Sequence, residues 1–162
     1  RDLSVKTPRL LVAAAGAALL LSGCGTADTA AIVDGQRITR SGLQEASDQI
    51  AQYASRPMEA QDLLTRLIIA PTVLDVLGER DVVITDAAAR STLADIDGPV
   101  PYVIDLTKLD LAIGKMTEED FNEITSRLLE LEVEVNPRYG TFNAEQVAVV
   151  PQTADWIAGP AD

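Results

Sequence analysis

Few side chains in this sequence are equipped for covalent or acid–base chemistry. Among 162 residues there is one cysteine, Cys24, and no histidine. Without imidazole, Ser-His-Asp and Cys-His catalysis and the common histidine-built zinc sites are excluded within this stretch. No glycine-rich phosphate loop is present. Carboxylates are the abundant acid/base groups, with 25 Asp and Glu against 13 Lys and Arg. Their densest group, Glu118, Glu119, Asp120 and Glu123, falls at a predicted helix start, where capping and the helix macrodipole account for it. Glu130, Glu132 and Glu134 alternate, as on the solvated face of a strand. The expectation is a protein that is not an enzyme, with no catalytic residue, no metal and no cofactor.

Cys24 stands apart because of what precedes it. Arg1, Lys6 and Arg9 form a positive segment, and Leu10 to Leu21 is an unbroken run of twelve apolar or Gly residues. That run is too short for a spanning helix, which needs about 20 apolar residues, but fits the core of an export signal. It ends in Leu21-Ser22-Gly23-Cys24, which resembles the lipobox of bacterial lipoproteins. The resemblance implies cleavage after Gly23 and conversion of Cys24 to an N-acyl, S-diacylglycerol cysteine. Each buried CH₂ contributes about 0.8 kcal/mol, so several acyl chains hold where one would not. The expected location is the extracytoplasmic face of the cell membrane, with the membrane itself as a partner.

Residues 1–23 hold Arg1, Lys6 and Arg9 against Asp2, so of the chain's net −12 the part that follows carries −14. Nucleic-acid binding relies on Lys and Arg at phosphates and is not expected. Nor is a polybasic membrane patch.

Four segments follow: the signal 1–23, a lipidated tether 24–30, a domain 31–150 and a tail 151–162 carrying Trp156. Ala31-Ile32-Val33, Asp34-Gly35 and Gln36-Arg37-Ile38-Thr39 read as a tight hairpin. Ser41, with Gln44 three residues on, reads as the capped start of a helix whose apolar face is Leu43, Ala46, Ile50 and Tyr53. Pro57 seats the next helix, with Leu63, Leu64, Leu67 and Ile68, which Pro71 is expected to kink or split and Gly78 to cap. Arg66, Pro71 and Asp75 argue against a membrane span there. Asp86 is the expected N-cap of a helix to Ile96, and Asp97-Gly98-Pro99-Val100-Pro101 a loop inside one domain. Helices are expected over Asp105–Lys115 and, capped by Thr117 and Asp120, from Glu118 to Leu131, with Phe121, Ile124, Leu128 and Leu131 buried. Leu131 to Val135 then alternates as a strand, Asn136 to Gly140 turns, and Val147 to Val150 is extended. The expected fold is mainly α, with an early and a late short strand pairing into a small sheet.

That order resembles the N-terminal domain of SurA-like periplasmic chaperones and their lipoprotein relatives. The resemblance is carried by Ala31 to Thr39 and by Val133-Glu134-Val135-Asn136-Pro137-Arg138-Tyr139-Gly140 with Thr141-Phe142-Asn143, and covers roughly residues 30–143. The closing segment is similar to actinobacterial members. Ten Arg against three Lys also suits a GC-rich genome. The resemblance implies a lipid-anchored domain that binds non-native or newly exported polypeptides. There is no room between Gly98 and Asn136 for a parvulin isomerase, and no histidine to serve one. An alternative is an accessory envelope lipoprotein with one dedicated protein partner. Phe121, Tyr53 and Leu67 are candidates to line a client groove, although apolar residues at helical spacing also make cores. Arg138 and Tyr139 are expected to stabilise the closing turn.

Overall fold

The computed structural model describes residues 27–54 and 58–152. Cys24, Pro57 and Trp156, and with them the export signal, the lipidation site and most of the tail, lie outside the described residues. Within them the fold is mainly α with two small antiparallel sheets. None of the described helices is long and apolar enough to cross a membrane.

The chain enters on strand β1 (Thr29–Val33), turns at Asp34-Gly35 and returns on β2 (Gln36–Thr39). Both turn residues have positive φ, 46° and 79°, as an Asp-Gly two-residue hairpin requires. The strand starts two residues before the expected boundary, and Thr29 and Ala30 are already buried. On its other side β1 pairs with β3 (Val133–Val135), opposing Ala31 to Val135 and Val33 to Val133. The early and late strands therefore do pair, with β1 in the middle. Asn136 locks the junction: its N–H donates to the Ala30 carbonyl at 2.9 Å, and its side chain donates to the Thr29 carbonyl and accepts from the Arg138 N–H. A second hairpin, β4 (Thr141–Asn143) with β5 (Ala148–Val150), rests on the helices through a bond from the Val149 N–H to Thr65 Oγ1.

Helix α1 (Arg40–Tyr53) is capped by Thr39, not Ser41: Thr39 Oγ1 accepts from the Gly42 N–H. Strand β2 hands directly into the helix, so the last strand residue takes the cap. Ser41 instead donates both N–H and hydroxyl to Asp28, and Gln44 reaches forward to Asp48. Leu43 and Ala46 are buried, Ile50 is half-buried, and Tyr53 is exposed.

Helix α2 (Ala60–Glu79) runs through Pro71 without splitting. Proline gives no N–H to the carbonyl of Leu67, but cores on both sides hold the helix together. Leu63, Leu64, Leu67 and Ile68 pack with the sheet and α1, whereas Val73, Val76 and Leu77 pack toward the chain's later helices. Each fully buried Leu or Ile contributes about 1.5–3 kcal/mol, together more than the lost bond costs. The helix ends past Gly78. Asp81, at φ 61°, takes the left-handed position, with Asp81 N–H on the Gly78 carbonyl and Val82 N–H on that of Leu77. That pattern is a Schellman motif with Asp in the usual glycine place.

Helix α3 (Asp86–Thr92) is shorter than expected and capped by Thr85, which frees Asp86 to pair with Lys108 at 2.9 Å. Helix α4 (Pro101–Ile113) starts four residues early because Pro101 seats its first turn. Helix α5 (Glu118–Glu130) carries the expected capping box between Thr117 and Asp120. Its buried stripe differs: Asp120, Ile124 and Leu128 face inward at a spacing of four, which leaves Phe121 62% exposed. Asp120 holds the inner position because its carboxylate is satisfied there, by Thr117 and by Arg80 Nε at 2.7 Å.

Candidate functional site

Helices α2 and α4 lie side by side as the spine, with the β1–β2 hairpin across one end. Between hairpin and spine a groove of about 510 Å³ opens to solvent, within the size range of small-ligand sites. The hairpin contributes Val33, Asp34, Arg37 and Ile38. Helix α2 contributes Leu67, Pro71, Leu74 and Asp75; α4 contributes Tyr102, Asp105 and Lys108; and Leu131 closes one end. Pro71 is therefore a wall residue, and the carbonyl lacking its usual helical donor belongs to Leu67, also in the wall. A second depression of about 320 Å³ shares Asp34, Thr72, Asp75 and Leu131 with the first and runs on to Arg127 and Glu130. The two adjoin through these shared residues and together are one trough.

Tyr102 fixes the hairpin end of the groove. Its hydroxyl accepts the Thr39 N–H at 2.9 Å. Its ring lies so close to α1 that a Cβ on Gly42 would stand 2.6 Å from Tyr102 Cε2; glycine at 42 permits that approach.

The charges of the trough are unequally satisfied. Lys108 is engaged by Asp86. Arg127 is held by Glu79 through two bonds and by Glu123 through a third. Asp34 accepts the Glu132 N–H. Asp105 is half-buried on the wall and accepts no hydrogen bond among the described residues. Burial raises its pKa, partly offset by the charge of Lys108 and reinforced by Asp86. Its carboxylate is thus partly desolvated, with Lys108 as a neighbouring charge but no hydrogen bond among the described residues.

No family model, no curated protein and no solved structure matches this chain. The site rests on geometry alone.

Of the expected lining residues, Leu67 stands in the groove; Phe121 and Tyr53 are exposed elsewhere. Arg138 stacks over the Tyr139 ring at 5.6 Å, and the Tyr139 carbonyl accepts from Gln61, so both serve the closing turn. The acidic group at 118–123 is divided: Asp120 caps, Glu123 pairs with Arg127, and Glu118 and Glu119 face solvent. No cluster able to hold a metal occurs among the described residues. Sequence reasoning did not single out Tyr102, Asp105 or Asp75 as site residues. A signal was present for the acids: Asp75 interrupts Val73-Leu74-Asp75-Val76-Leu77, and Asp105 interrupts Val103-Ile104-Asp105-Leu106.

Proposed function

We propose that this chain is a lipid-anchored extracytoplasmic protein, held at the membrane through Cys24, whose helical domain binds segments of non-native or newly exported polypeptide. The observation that carries the binding part is the trough: apolar residues from both sheet and helices, charged residues beside them, and a second depression adjoining the first. Its size suits a short stretch of extended chain and not a folded partner. Kinship with SurA-like N-terminal domains is supported by the order of an early hairpin, helices and a returning strand. The lipobox supports the anchor, and the short segment between Cys24 and Thr29 keeps the domain close to the bilayer.

Two experiments test this reading. Cys24→Ala should abolish lipid labelling and leave an unprocessed precursor; unchanged processing and membrane retention would refute the anchor. The protein should suppress aggregation of several unfolded exported polypeptides and crosslink to them from a photoreactive residue placed at Leu74; no effect on any of them would refute the binding role. The alternative, an accessory lipoprotein with one dedicated partner, is favoured by Phe121 and Leu129, two large apolar residues exposed eight apart on α5. One stoichiometric partner lost on Phe121→Ser would decide for it.

A further inference from the structure

The trough's unbalanced charge points to the kind of segment it takes. Four carboxylates line its two depressions, from Asp34, Asp75, Asp105 and Glu130. Of the cations there, Lys108 is paired with Asp86 and Arg127 with Glu79 and Glu123. Asp105 lines the groove with Leu67, Tyr102 and Pro71 and accepts no hydrogen bond among the described residues, and the neighbouring Lys108 is engaged by Asp86. A half-buried carboxylate so placed costs free energy until a donor arrives.

We infer that the groove selects extended polypeptide segments carrying a Lys or Arg flanked by apolar residues, with Asp105 receiving the cationic head and Leu67, Leu74 and Ile38 receiving the neighbours. This inference rests on the polypeptide-binding reading above. The stem of Lys or Arg is apolar and lies against such walls while its head reaches a carboxylate. The adjoining depression shares Asp34, Thr72, Asp75 and Leu131 with the groove and adds Glu130, which gives more carboxylates than a compact small cation would use and favours a chain. The net −14 of the residues that follow the signal adds a long-range attraction for basic segments.

The test uses the full lipidated protein in detergent and fluorescence anisotropy. The probes are a fluorescein-labelled Ser-Ala-Val-Leu-Lys-Leu-Val-Ala-Ser peptide and its counterparts with norleucine or Glu for Lys. A hydrogen bond to a charged group predicts that the Lys peptide binds about tenfold or more tighter than the norleucine peptide, with the Glu peptide weakest. Asp105→Asn should erase that preference, and Asp95→Asn, an exposed carboxylate outside the trough, should leave it intact. Equal binding of the Lys and norleucine peptides, or a preference surviving Asp105→Asn, overturns the inference alone. Competition by spermidine as effective as by unlabelled Lys peptide overturns the polypeptide occupant. Binding of none of the peptides overturns the parent reading with it. Thermal melts of both variants establish that each is folded.

Discussion

The contact between Gly42 and Tyr102 joins helix α1, helix α4 and the hairpin, and Gly42→Ala is its sharpest probe. Gly42 lies in the first turn of α1, where the helix-interior preference of about 0.8–1.0 kcal/mol for Ala over Gly is an upper bound. Propensity alone therefore predicts a stabilised protein. The structure predicts the reverse. The added methyl would lie 2.6 Å from Tyr102 Cε2 and 2.9 Å from Thr39 Oγ1, so the ring must move. Moving it separates the Tyr102 hydroxyl from the Thr39 N–H, which it accepts at 2.9 Å. Overpacking costs about 1–3 kcal/mol, and leaving a part-buried donor unpaired about 1–3 kcal/mol more. After the propensity gain the net destabilisation is about 1–5 kcal/mol. Urea unfolding followed by circular dichroism measures it, in a double-mutant cycle with Tyr102→Val. With the ring gone only the Thr39 Oγ1 contact remains, so Gly42→Ala should cost less by about 1 kcal/mol or more, which is the coupling the cycle reads. Gly42→Ala that is neutral or stabilising in the native background, or equally costly in both, would refute the reasoning.

Leu109 is fully buried where α4 meets α2 and α5, and Leu109→Ala should cost about 2–5 kcal/mol, read as a lowered urea midpoint. Asp105→Asn should stabilise the fold at pH 7. Burial raises the folded-state pKa, against the charge of Lys108 and with that of Asp86, so the ionised form is penalised above that pKa; the gain should vanish as pH falls below the ordinary Asp value of 3.8. A gain independent of pH from 3 to 8 would contradict this. Asp120 behaves oppositely: its pKa is lowered by bonds from the Thr117 backbone N–H, then from its hydroxyl, and by Arg80. Its contribution is present above 3.8 and lost as acid carries the pH through the depressed folded value, so Asp120→Asn should destabilise at pH 7 and flatten the acid limb of the stability profile. An unchanged acid limb would count against that assignment.

Much of the fold is visible in the sequence because its signals are local. Asp34-Gly35 has only one cheap conformation between two β-prone segments, and Thr117 with Asp120 can satisfy each other within one turn. The alternation of Val133 and Val135 likewise shows in three residues. The errors fall where a distant partner decides. Ser41 looks like a cap until Asp28 claims it. Pro71 looks like a break until two cores grip both halves of its helix, and Phe121 looks buried because nothing nearby reveals that Arg80 draws Asp120 inward. The groove is the extreme case. Ile38, Leu67, Tyr102 and Leu131 are separated by tens of residues, and only the crossing of hairpin and spine brings them together. Asp105 carries a faint local trace, a carboxylate within an apolar run. What makes it notable is that it accepts no hydrogen bond among the described residues while Lys108 beside it is taken by Asp86, which no periodicity encodes.

The central place of β1 has a mechanical consequence. On the proposed anchorage, any tug between membrane and client enters the domain at Ala27 and Asp28. That entry is clamped to the start of α1 by four bonds: Arg40 Nη1 to the Ala27 carbonyl, the Arg40 N–H to the Asp28 carbonyl, and two from Ser41 to the Asp28 carboxylate. Beyond it the load passes along a strand bonded on both flanks, to β2 and to β3. Tension along such a strand shears two rows of bonds together instead of unzipping one row at a time. An anchor at that end would be fastened to the part of the sheet hardest to peel, and its load would be borne by the whole domain.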